Sequence, residues 1–158
     1  MSTAAPEVAP DARTTATGRN VLSGVLLGLG IAGFVDETVF HQLLHWHHFY
    51  DKSTPAVGLV SDGLFHAAGW FCTVAALFLF ADLRRRGVVH KGFWWGGLFL
   101  GMGAFQLYDG TIQHKLLRLH QIRYHVHIAA YDWTWNLIAL ALIVVAAVLL
   151  IRARRTVR

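Results

Sequence analysis

Charge is scarce in this chain, and so are cysteine, methionine and proline. Only 15% of the 158 residues are Asp, Glu, Lys or Arg, against about a quarter in soluble domains. Hydrophobic residues make up 55%, and mean hydropathy is +0.45. They fall in long blocks rather than short amphipathic stripes, which excludes a soluble α/β enzyme and a disordered regulator. The single cysteine, Cys72, excludes an intramolecular disulfide and any cysteine-based zinc motif. The only methionines, Met1 and Met102, leave little thioether for copper(I). No flavin, nicotinamide or haem-attachment motif is present, and nothing points to nucleic acid.

What is plentiful is apolar helix and histidine. Four apolar blocks, at about residues 21–46, 63–81, 92–117 and 133–151, each reach the roughly 20 residues needed to cross a bilayer. The expected fold is therefore all-α and integral to the membrane, a four-transmembrane-helix bundle over residues 21–151. Residues 1–20, rich in Ala, Thr and Pro, read as a disordered cytoplasmic tail, and 152–158 as a basic one. The first block is too long for a cleaved signal peptide and carries Asp36 and Glu37.

Arg13, Arg19, Arg84, Arg85, Arg86, Lys91, Arg152, Arg154, Arg155 and Arg158 would all share one side of a four-span chain. The positive-inside rule makes that side cytoplasmic and implies a bacterial inner membrane with both termini inside. The histidine-rich span ends then face outward. Trp46, Trp70, Trp94, Trp95, Trp133 and Trp135 read as an interfacial belt.

Residues 36–47 align without gaps on 109–120, with identity at Asp36/Asp109, Thr38/Thr111, His41/His114, Leu43/Leu116, Leu44/Leu117 and His47/His120. Asp62 with His66 opens the second block as Asp132 with Asn136 opens the fourth. The chain thus reads as two repeated helical hairpins related by a parallel pseudo-two-fold axis along the membrane normal. On an α-helical wheel Glu37, His41, His45 and His48 share one stripe, while Asp36 and His47 lie on another, about 100–140° away. Asp36 would sit near the midplane, about 15 Å below the outer end of its span.

Ionisable groups at that depth cost a few kcal/mol each in lipid and must face each other, water or a metal. His41, His66 and His114 with Asp62, Asp132, Asp36 and Asp109 form an imidazole–carboxylate set suited to iron, copper, zinc or manganese. Asp62 and Asp132 can serve as ligands or as acceptors that orient a histidine. His45, His47, His48, His120, His125, His127 and Glu37 form an outer group, either a second or capture site or solvated surface residues. Because Asn136 stands where His66 stands in the first half, one shared site is favoured over two.

Gly33-Phe34-Val35-Asp36, with Phe40-His41-Gln42-Leu43-Leu44 and Trp46-His47-His48, resembles a widespread bacterial family of four-span membrane proteins of unassigned function. The likeness runs through Asp62, Phe65 and His66, then Gly101, Gly103, Phe105 to Leu107, Asp109 and Gly110, to His114 and His120. It covers about residues 21–150. Glu37 departs from a glycine in that pattern, His45 from a glutamine, and Lys115 and Gln121 from histidines, which makes the outer half of the second repeat a poorer metal site.

Three functions remain open. The first is a mono- or dinuclear transition-metal centre with an open position for redox or oxygen chemistry, supplied by a quinol or another membrane redox protein. The second is copper or zinc binding and delivery to a membrane enzyme. The third is a proton or ion pathway through Asp36 and Asp109. Enzyme status and homo-oligomerisation are left open.

Overall fold

The computed structural model describes residues 10–157, and among them every regular element is helical. Helix α1 spans Pro10–Asp36, α2 Pro55–Arg85, α3 Lys91–Tyr108 and α4 Ile128–Thr156. Helix α1 continues as a π-helical segment, Glu37–Leu43, and α3 as another, Asp109–Leu116. Thr54 caps α2 by accepting from Val57 N at 3.4 Å, with Pro55 at the first helical position. Among the described residues three helices are long and apolar enough to cross a membrane: Thr14–Leu43, Pro55–Arg85 and Ile128–Thr156. Shorter α3 is glycine-rich and lies between two of them.

The helices stand in the spatial order α2, α1, α3, α4. Helix α1 packs on α2 and α3, and α3 packs on α1 and α4, while α2 and α4 do not meet. Four glycines permit the central α1–α3 contact. A Cβ on Gly24 or Gly28 would fall on the carbonyl oxygen of Trp94 or Leu98, and one on Gly97 or Gly101 on that of Val21 or Val25. Small residues at four-residue spacing let two backbones touch, which is how helices associate where no water drives them together.

Helix α1 begins ten residues or more before the apolar block, so residues 10–20, expected to be a disordered tail, are helical. The reason is polar. Arg19 pairs with Asp82 at 2.6 Å. Buried Asn20 donates to Val88 O at 2.9 Å and accepts from His90 N at 2.9 Å, tying α1 to the α2–α3 turn. Residues 1–9 of that expected tail lie outside the described residues. The basic segment from 152 likewise continues α4 to Thr156.

Candidate metal centre

Helices α1 and α3 do not end as α-helices. In a π-helix the bonding runs i→i+5, so residues five apart come onto one face. Asp36 and His41, and Asp109 and His114, have that spacing. The Asp36 Oδ2–His41 Nε2 distance is 3.7 Å and the Asp109 Oδ2–His114 Nε2 distance 3.0 Å. An α-helical wheel separates Asp36 from His41, and the π winding overturns that separation.

Both segments close in the same way. Leu44 N donates to Val39 O at 2.9 Å and Leu117 N to Ile112 O at 2.7 Å. Trp46 N then donates to Phe40 O, and Leu119 N to Gln113 O, each at 2.9 Å. His45 and Arg118 take left-handed backbone conformations, φ 50° and 52°. The chain therefore turns back at these residues instead of continuing to Trp46 and Leu117 as helix. This brings His47 and His120, read from the sequence as outer residues, into the buried cluster.

His47 Nδ1 lies 3.0 Å from Ile122 O, and His120 Nδ1 lies 2.9 Å from Phe49 O. A carbonyl only accepts, so Nδ1 carries a proton on both rings and Nε2 of each is directed into the cluster. His41 Nδ1 is 3.1 Å from Asp62 Oδ1 and 2.9 Å from Glu37 Oε2, leaving its Nε2 without a hydrogen-bond partner as well. Burial, followed by the neighbouring imidazoles of His120, His41 and His114, pushes His47 down to about 2, so it is neutral. Ring centroids lie 4.5 Å apart for His41–His47, 4.7 Å for His114–His120 and 4.5 Å for His47–His120.

Buried polar atoms normally find partners. Here His41 Nε2, His47 Nε2, His120 Nε2, both nitrogens of His114, Asp36 Oδ1 and Asp109 Oδ2 complete no hydrogen bond among the described residues, although His114 Nε2 and Asp109 Oδ2 lie 3.0 Å apart. His120 Nε2 faces Asp109 Oδ1 at 3.4 Å. A cation resolves this arrangement. Donor atoms of Asp36, His41 and His47 lie within 4.8 Å of one another, as do those of His47, His114 and His120 and those of Glu37, His41 and Asp62. Imidazole nitrogens held by Nδ1–H bonds to carbonyl or carboxylate match the way metal-binding histidines are oriented.

Asp62 is a hub. Its Oδ1 accepts from Phe49 N at 2.7 Å and meets His41, and its Oδ2 lies 2.6 Å from His48 Nδ1. Both oxygens are committed to fixing the loop and the His41 ring. Asp132, its counterpart, instead pairs with Lys115 at 2.6 Å, and Lys115 also donates to Gln121 at 3.1 Å. Glu37 is buried and accepts from Gln42 at 2.7 Å.

His66 stands apart from the cluster, exposed on α2 with its ring 5.9 Å from Phe34. His125 and His127 are exposed in the α3–α4 loop. His45, exposed too, joins His47, His48, Asp51 and Tyr124 around a polar cavity of about 360 Å³ above the cluster. Burial and the nearby Asp51 raise the Tyr124 hydroxyl above its ordinary range. One cluster residue escaped the sequence reading: Gln113, buried, donates to Asp109 Oδ1 at 2.9 Å. Its repeat partner is Phe40, so the alignment carried no signal for it.

The family model DUF2243, described as a predicted membrane protein, matches residues 23–153. The chain belongs to this family. Its apolar helices accordingly contact a lipid bilayer. The DUF2243 match takes in every residue of the cluster, both π segments and the α1–α3 glycines. No curated protein and no solved structure matches the chain.

Proposed function

We propose that this DUF2243 protein is an integral-membrane metalloprotein that holds a transition metal, as a pair of ions, in the outer half of a four-span bundle. The observation that carries this reading is the convergence of unpartnered, buried Nε2 atoms of His41, His47 and His120 with His114, Asp36 and Asp109. Asp36, His41 and His47 hold one ion, and Asp109, His114 and His120 the other. Mixed imidazole and carboxylate donors suit iron, copper, zinc or manganese, and two-metal sites in helix bundles use facing sets of this kind. When bound, the ions supply Lewis-acid or redox chemistry. The chain's own residues fix the rings through Ile122 O, Phe49 O and Asp62, and burial keeps the His47 imidazole neutral.

Two repeated hairpins in a parallel pseudo-two-fold arrangement underlie this reading. Its support is reciprocal geometry: His47 reaches Ile122 O while His120 reaches Phe49 O, and Gly30 abuts the Gly69 carbonyl of α2 while Gly103 abuts the Ala139 carbonyl of α4. The arginine-rich ends are assigned to the cytoplasm of a bacterial inner membrane, and the metal centre to the outer side.

The polar cavity at His45, His48 and Asp51 favours a second reading, metal capture and delivery, because it leads from the surface onto His47. Metal analysis of detergent-purified wild type against the His41→Ala, His114→Ala double variant tests the site. About two equivalents in the wild type and none in the variant support it, and turnover with slow metal exchange separates a catalytic centre from a carrier. A metal-free wild type after expression with each ion supplied, with proton flux abolished by Asp36→Asn, would establish the proton pathway instead.

A further inference from the structure

Helices α1 and α4 do not touch, and between them lies a cavity of about 620 Å³ floored by Met102 and Phe105 of α3. That is the size of a site for a small organic molecule. Its mouth is on the apolar face, where Val35 and Ile138 are each 47% exposed. Its outer end is closed by ring contacts, Phe40 to Trp135 at 5.4 Å and Trp46 to Tyr131 at 5.7 Å. Arg123 braces these rings from outside, 4.7 Å over Trp46 and hydrogen-bonded to the Tyr131 hydroxyl at 2.7 Å.

The wall of this apolar cavity carries one carboxylate, Asp36, which is 3% exposed. Its Oδ2 is directed at His41, and its Oδ1 has no hydrogen-bond partner. The corresponding gap on the other side of the bundle, between α2 and α3, is plugged. There Phe65 stacks on Phe49 at 4.9 Å and on Phe105 at 5.7 Å. The open gap is thus confined to the half where a buried acceptor waits at its inner end.

We infer that this cavity binds a lipid-soluble aromatic alcohol of the hydroquinone class, entering sideways from the bilayer, with a ring hydroxyl donating to Asp36 Oδ1. The aromatic walls take the ring by offset or edge contacts. A hydroxyl donor satisfies the buried acceptor, whereas a lipid acyl chain fills the same space and leaves Asp36 Oδ1 unpaired at a desolvation cost. The occupant then sits one carboxylate away from His41. Binding itself needs no metal, so this inference and the metal reading fail separately.

The test is calorimetric titration of decylhydroquinone, and of its dimethyl ether, into nanodiscs containing the full chain, with empty nanodiscs subtracted and metal content read on the same samples. The hydroquinone should bind at least about tenfold more tightly than the ether, since the ether cannot donate. Ala32→Phe and Ala130→Phe, both filling the cavity, should weaken both probes by about tenfold or more. Two filling variants guard against one failing to fold. Asp36→Ala should bring the two probes to near-equal affinity. Equal affinity of both probes in the wild type, or no effect of either folded filling variant, would overturn the inference. Binding by protein that takes up no metal when supplied with each ion sustains it, and it is the failed metal uptake that removes the metal reading.

Discussion

His47 and His120 stack ring on ring, 4.5 Å between centroids and 5° between planes, and each donates Nδ1–H to a carbonyl just beyond the other's position, Ile122 and Phe49. The pair links the two halves of the chain at the centre of the buried cluster and directs two Nε2 atoms into it. His47→Ala and His120→Ala should each weaken metal binding by more than the roughly 10–100-fold typical of losing an orienting partner. His125→Ala and His127→Ala, exposed and outside the cluster, should leave it unchanged. Competition titration against a chelator of known affinity measures all four.

Asp62 acts through other groups. Asp62→Asn keeps its shape but replaces one carboxylate oxygen with a donor, facing either His41 Nδ1 together with the Phe49 amide or His48 Nδ1. Metal stoichiometry at saturation should stay at the wild-type value while affinity falls by about 10–100-fold. The same titration with Asp132→Asn should show a smaller loss, because Asp132 serves Lys115 instead of a cluster ring.

Much of this arrangement is legible in the residues. The apolar blocks foretell the helices, and the matching residues of segments 36–47 and 109–120 single out Asp36, His41, Asp109 and His114. Less legible is which side of the helix they occupy. A wheel drawn at α-helical pitch parts Asp36 from His41, since nothing in the local composition announces a switch to i→i+5 bonding. The same assumption carries helix through Trp46 and leaves His47 outside. The left-handed residues that reverse the chain are His45 and Arg118 rather than glycines, so the usual turn signal is missing. The start of α1 is hidden for another reason: Asn20 and Arg19 stabilise it through partners about 70 residues away.

Acid should destabilise the metal-free protein. Unfolded, the His47 imidazole takes up a proton as pH falls through 6.5, whereas folded it stays neutral until about 2. Between those values the unfolded state binds more protons, so stability is present above 6.5 and is lost as pH falls, by up to about 1.4 kcal/mol per pH unit. Thermal unfolding of apo-protein from pH 7.5 to 5 measures the slope. His47→Gln should flatten it.

The central helix contact should tolerate no side chain. Gly28→Val places a Cβ on the Leu98 carbonyl and should cost about 3 kcal/mol or more, seen as loss of cooperative unfolding in detergent. Gly63→Ala meets nothing within 4 Å and should stabilise α2 by up to about 1 kcal/mol. Circular dichroism melts compare them.

Anomalous diffraction from crystals of the metal-loaded protein, recorded on both sides of the metal's absorption edge, tests the central claim most directly. The account predicts two anomalous peaks, one among Asp36, His41 and His47 and one among Asp109, His114 and His120. Peaks confined to exposed His45, His66, His125 or His127, or a cluster without anomalous signal in protein supplied with each metal, would contradict it.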